Sequence, residues 1–223
     1  MALEIELRYE VADQLALQNF VDRLQKIGTK RVVDVYLDTP DAHLLKRGIY
    51  IRIRDNKKLD IKFNRECLTN PDLEIQAYCE EYSFVLPLQA DHMAKFQEVN
   101  TDLGLKVPTT PDLVWYQSAN NLIEHRIVDK VRTTYRHDDF LIMLDEVKNL
   151  GSFLEIELMA DTAEDIEAVK VRMLKTLEGL PLKPFKTGYD SLILKKQNFA
   201  QYVQGRFALK EDKEAYARSL GGK

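Results

Sequence analysis

Residues 3–10 read LEIELRYE: Leu3, Ile5, Leu7 and Tyr9 alternate with Glu4, Glu6 and Arg8. An alternation of period two predicts a β-strand with one apolar face and one face carrying two acids and a base. For one strand alone a solvated sheet face explains such charge. Whether the pattern recurs decides how far that explanation reaches.

It recurs. IYIRIRD (49–55) and LDIKF (59–63) predict a hairpin around Asp55-Asn56-Lys57-Lys58, with Arg52 and Arg54 on one face and Lys62 on the partner strand. YCEEYSFVLP (78–87) predicts a strand bearing Glu81, in a register that exchanges Glu80 for Glu81 if it slips by one. RIVDKVRTTYR (126–136), FLIMLDEV (140–147) and FLEIELM (153–159) add Lys130, Arg132, Asp145, Glu155 and Glu157, opposite faces that carry Val131, Leu144, Ile156 and Leu158.

Solvation would equally accept Ser, Thr, Asn or Gln, whereas these faces hold arginine and lysine on some strands and acids on others. That sorting predicts a closed barrel with a charged lumen and helices packed outside, structural salt-bridge ladders being the alternative. Enclosed charges must be paired or must coordinate something. Hard divalent cations suit the carboxylates Glu4, Glu6, Glu81, Asp145, Glu155 and Glu157. A polyphosphate suits the bases Arg8, Arg52, Arg54, Lys62, Lys130, Arg132 and Lys186. Together they describe a site for a triphosphate with Mg²⁺ or Mn²⁺.

Between the strands the periodicity predicts helices. DQLALQNFVDRLQKIG (13–28) runs to Gly28, residues 89–124 hold two helices divided by Pro108 and Pro111, and Thr162 with Asp165 reads as a capping box before IEAVKVRMLKT. ECLTNPDLEIQ (66–76) reads as a loop, and PLKPF leads to another helix. Tyr36, Phe185 and Tyr189 read as packing residues, and His43 and His125 as helix-end residues. Residues 1–204 form the predicted domain and 205–223 a charged terminal helix or tail.

Composition excludes several functions. With 32 basic and 36 acidic residues the net charge is −4, so no global basic bias points to duplex nucleic acid or an anionic membrane. The start lacks an apolar leader and no stretch has the length and apolarity of a membrane span, so the cytoplasm is the expected compartment. Cys67 and Cys79 read as reduced thiols, and the four histidines show no zinc-ligand spacing. The apolar middle helices are a candidate homodimer contact.

The ordered set of motifs resembles the CYTH superfamily, the triphosphate tunnel metalloenzymes. EIELR (4–8) resembles its Glu-x-Glu-x-Lys signature, and VYLDTPDAHLLKRGIYIRIR (35–54) its Tyr-Asp-Thr-Pro segment and Arg-x-Arg strand. LDIKF and DKVRTTY (129–135) resemble its Lys and Lys-x-Arg strands, IMLDEVKNLGSFLEIEL (142–158) the Asp strand, Leu-Gly turn and final Glu-x-Glu, and PFKTGYDSLIL (184–194) the closing Lys and Tyr motif. The resemblance implies an α+β fold built on a closed eight-stranded antiparallel tunnel. It also implies metal ligands at Glu4, Glu6, Glu155, Glu157 and Asp145, and phosphate clamps at Arg52, Arg54, Lys62, Arg132 and Lys186, with Lys130 and Glu81 assigned beside them.

Position 8 departs from the pattern. Arg8 stands where the family carries a lysine thought to help activate water, and an arginine stays charged and cannot serve as a base. Cys79 and Ser83 likewise stand where an arginine and a second acid are common. The expected activity is metal-dependent hydrolysis of tripolyphosphate or a nucleoside triphosphate. Glu4, Glu6 and Arg8 form its candidate catalytic group. The alternatives are a class IV-type adenylyl cyclase making cyclic AMP from ATP and a non-catalytic polyphosphate or nucleotide binder. Thiamine triphosphatase activity fits less well, because Trp115 lies in the middle helices and no strand offers an indole for stacking.

Overall fold

The computed structural model describes residues 3–70, 80–160, 166–185 and 187–221. Two compact units divide the chain: Met1–Val32 with Asp129–Lys186, and Val33–Val128 with Thr187–Lys223.

In the first unit, β1 (Leu3–Val11) pairs antiparallel with β8 (Gly151–Ala160), and β8 with β7 (Phe140–Val147). The C-terminal part of β6 (Ile123–His137) pairs with β7, and the short β9 (Leu182–Pro184) with the end of β1. Ile5, Tyr9, Leu154, Ile156 and Leu158 turn their apolar face toward Leu17 and Val21 of α1 (Gln14–Val21) and Val169 and Met173 of α6 (Ile166–Thr176). The Asp13 carboxylate starts α1 by accepting from the amides of Leu15 and Ala16. The helix ends at Val21, short of the predicted Gly28, because Gln25 already begins β2 (Gln25–Asp38), in which Ile27 is exposed rather than buried.

In the second unit, the end of β2 pairs with β3 (Tyr50–Arg54), β3 with β4 (Lys58–Phe63), and β4 with β5 (Glu80–Val85). The β3–β4 turn places Asp55 and Asn56 at φ 52° and 55°, the left-handed pair whose twist suits a tight hairpin. Ile51, Leu59, Ile61 and Phe63 bury one face with Phe96 and Val99 of α4 (Met93–Asp102) and Tyr116 of α5 (Leu113–Ala119). Two short helices complete the strand connections, α2 (His43–Arg47) and α3 (Arg65–Thr69), the latter inside the stretch predicted as loop and capped by Asn64. Then follow α7 (Tyr189–Gln197), α8 (Phe199–Tyr202) and α9 (Lys210–Gly221). Cys67 is a buried free thiol; Cys79, Thr162 and Asp165 lie outside the described residues. His43 opens α2 as expected, but His125 lies within β6.

The predicted closed eight-stranded barrel is not what forms. Nine strands pair in the order β5-β4-β3-β2-β6-β7-β8-β1-β9, so the sheet is open and ends on β5 and β9. β9 is only three residues long and ends in Pro184, which has no amide to offer a further strand. The inference of closure rested on the need to enclose charge of both signs. Cross-strand ion pairs on the same sheet face meet that need without a closed wall.

Candidate functional site

Side-chain alternation puts the charged residues of each unit on the face opposite its hydrophobic core. In the first unit, register sets Arg8 opposite Glu155 and Glu6 directly opposite Glu157. Arg8 grips Glu6 through two nitrogens, one of them Nε to Oε1 at 2.9 Å, and lies 3.7 Å from Glu155. Arg132 continues the line, binding Glu155 and holding both oxygens of Asp145 at 2.7 and 2.6 Å. Lys130 closes it at 2.6 Å from Asp145 Oδ2. Glu6, Arg8, Glu155, Arg132, Asp145 and Lys130 thus alternate in charge over four strands. Asp145, Lys130 and Glu155 are 0%, 4% and 5% exposed, so this ladder is not a solvated face. Burial lowers the Lys130 pKa, and Arg132 adds to this, against the opposing pull of Glu155 and Asp145.

The second unit holds a separate cluster. Arg52 donates to Asp60 at 3.0 Å and Glu81 at 3.2 Å and lies 3.6 Å from Asp34. Arg54 grips Asp34 at 2.7 and 3.0 Å, Lys62 reaches Glu81 at 2.7 Å, and the Ser83 hydroxyl donates to Asp60 at 2.6 Å. Register makes Glu81, not Glu80, the partner of Lys62; Glu80 turns to Arg65 and the Tyr82 hydroxyl.

The sequence-predicted residues therefore fall into two groups. Glu6, Arg8, Lys130, Arg132, Asp145 and Glu155 meet in the first unit, and Glu157 shares their sheet face by register. Arg52, Arg54, Lys62 and Glu81 meet in the second. Glu4 is set by backbone register opposite Met159; its side chain, and all of Lys186, lie outside what the structure describes. Among the described residues no three His, Cys, Asp or Glu side chains come close enough together to hold a metal ion. The acids are instead partnered by guanidinium and ammonium groups.

Sequence reading missed Asp34 and Asp60, both buried and both neutralising clamp arginines, and it missed the node formed by Asp38, Arg126 and Asp190. Their signal was present: Asp34, Tyr36 and Asp38 alternate in DVYLD, and Asp60 stands two residues before Lys62. Tyr36, predicted as a packing residue, lies on the charged face opposite Arg52.

Comparison with known proteins places the chain in a family. The chain is 20% identical over 183 residues to a Methanocaldococcus jannaschii protein named "Putative adenylate cyclase MJ0240", covering 80% of this chain and 89% of that one. The fold matches the PH1819 protein of Pyrococcus horikoshii with a TM-score of 0.58 at 22% identity, over 86% of this chain and 99% of that one. A Hippeastrum protein, described as a "Putative adenylyl cyclase" that reveals a dominant triphosphatase activity, matches with a TM-score of 0.55 at 19% identity, over 88% of this chain and 96% of that one. A family profile described as CYTH domain matches residues 2–187, and the chain belongs to that family.

Proposed function

We propose that the protein is a metal-dependent hydrolase of an inorganic or organic triphosphate. The observation that carries this reading is the partly buried line of alternating charge from Glu6 to Lys130, with Glu157 directly opposite Glu6. Family membership supports triphosphate chemistry, by hydrolysis or by cyclisation.

Glu4, Glu6, Glu155, Glu157 and Asp145 offer only carboxylate oxygens, the donor type that Mg²⁺ and Mn²⁺ prefer, and they are the proposed ligands. A divalent ion held by them would supply Lewis-acid polarisation of phosphoryl oxygens. Arg52, Arg54, Lys62, Lys130, Arg132 and Lys186 are the proposed clamps, the guanidinium forks binding phosphoryl oxygens in pairs and the lysines acting as point charges. Within the first unit, a phosphoryl oxygen taken up by Lys130 or Arg132 would replace a carboxylate partner, Asp145 or Glu155, which could then hold a cation. Substrate and metal binding would thereby be coupled. Arg8 keeps its charge throughout, so its role is to hold Glu6 and Glu155 in place and to bind phosphate rather than to accept a proton. Glu81, between Arg52 and Lys62, orders the clamps.

The test is an assay of tripolyphosphate and nucleoside triphosphates with Mg²⁺ or Mn²⁺ that scores phosphate, pyrophosphate and cyclic nucleotide together. Phosphate release is expected. A class IV-type cyclase, the reading that the name of the M. jannaschii relative favours, yields cyclic AMP and pyrophosphate instead. A binding-only protein, the reading that Arg8 favours, gives calorimetric binding with no product, and turnover returns with Arg8→Lys.

A further inference from the structure

Arg126 is 3% exposed and carries its charge on the sheet face opposite the core of the second unit. Two acids flank it without reaching hydrogen-bond distance: Asp38 Oδ2 lies 3.8 Å from Nη1, and Asp190 Oδ2 lies 3.6 Å from Nε. Neither Arg126 Nε nor Asp190 Oδ2 has a hydrogen-bond partner. Asp38 is committed elsewhere in the fold. It accepts from the amides of Thr39, Leu44 and Leu45 and so anchors the start of α2, while Asp190 sits in the first turn of α7. The Arg126 contact with His125 Nδ1, 3.0 Å from Nη1, leaves Nε unsatisfied, and a buried guanidinium bonded in this way is an inefficient way to stabilise a fold.

Besides His125, the guanidinium meets the ring of Tyr36. It lies over the Tyr36 ring, 5.7 Å from the centroid, and Tyr36 stands directly opposite Arg52 in the β2–β3 register. The phenol lies beside the Arg52 guanidinium; burial pushes its pKa up, and the Arg52 charge pulls it back. Arg126, Tyr36 and Arg52 therefore form a chain of contacts, cation over ring and then phenol beside guanidinium, that leads to a proposed phosphate clamp. We propose that Arg126 is a positioning residue which, through the Tyr36 ring, sets the orientation of the Arg52 guanidinium. As a role in phosphate recognition, this rests on the triphosphate reading; as a geometric coupling, it does not.

Two measurements separate those levels. In ¹⁵N-edited NMR of the full chain without ligand, the Arg52 Nε–H signal is expected to shift or broaden in Arg126→Lys, which keeps the charge, and in Tyr36→Phe, which keeps the ring but removes the hydroxyl. An Arg52 signal unchanged in both variants, with native circular dichroism, overturns the proposal. Calorimetry with tripolyphosphate then follows. Arg126→Lys is expected to weaken binding about tenfold in the wild-type background and to have no further effect in Arg52→Ala, the non-additivity that marks action through a shared partner. Equal losses in both backgrounds also overturn it. A wild-type chain that does not bind tripolyphosphate, while its Arg52 signal responds to both substitutions, supports the coupling and counts against the triphosphate reading.

Discussion

Lys130 illustrates how the environment decides what a charged residue does. It is buried against Asp145 of β7, near Glu155 of β8 and Arg132 of its own strand, and burial depresses its pKa below the ordinary lysine value of 10.5. Between the depressed value and 10.5 the unfolded chain binds more protons at this position than the folded one, so stability rises with pH through that interval. Lys130→Met keeps the volume and removes the titration. Denaturant unfolding from about pH 8 upward is expected to show wild type gaining on the variant as pH approaches 10.5. A stability difference that does not change with pH would refute this account. Asp38 is the opposite case, a fully buried carboxylate whose three amide donors lose their acceptor in Asp38→Ala. The expected loss is about 3 kcal/mol in urea unfolding, as for buried bonds to a charged acceptor.

At the scale of elements, short helices and turns hold the charged strands in register. Gly48 ends α2 at φ 73°, a conformation that disfavours any side chain, and a Cβ there would meet the Phe207 ring at 2.5 Å. Arg206 also donates its amide to Leu45 of α2, so the segment before α9 packs on the helix that leads into β3. α9 itself buries no residue, yet Asp212 accepts from the Tyr202 hydroxyl and pairs with Lys195 at 2.7 Å. Gly48→Ala is expected to lower stability by about 2 kcal/mol, and by about 1 kcal/mol when Phe207→Ala has removed the clash, leaving the backbone penalty alone. Thermal and urea unfolding of the single and double variants check the difference.

For the whole molecule, the local concentrations of opposite charge matter more than the net charge of −4. If the Glu6–Glu157 pair takes a divalent ion, Mg²⁺ or Mn²⁺ raises the unfolding temperature by mass action, because the unfolded chain has no such site. Glu157→Gln is expected to remove most of that rise, measured against the variant's own metal-free transition. An undiminished metal response in the variant moves the metal site elsewhere. No helix among the described residues is long and apolar enough to cross a membrane.

Much of this was legible in one dimension. Strands β1, β3, β4, β6, β7 and β8 follow from alternation, because a period of two admits no other regular structure, and the same alternation names Glu6, Arg52, Lys62, Lys130, Arg132 and Glu155 as one-face residues. Family motifs in order placed the chemistry. The rest required three dimensions. Whether the sheet closes depends on which strand edges find partners, and β9 with Pro184 was invisible because three residues carry no period. Pairing partners were hidden for the same reason: Asp34 meets Arg54 across twenty residues of chain and Arg126 meets Asp190 across sixty-four, and nothing local to either residue records the other. Periodicity determines which side of a strand carries charge; only packing decides what each charge faces.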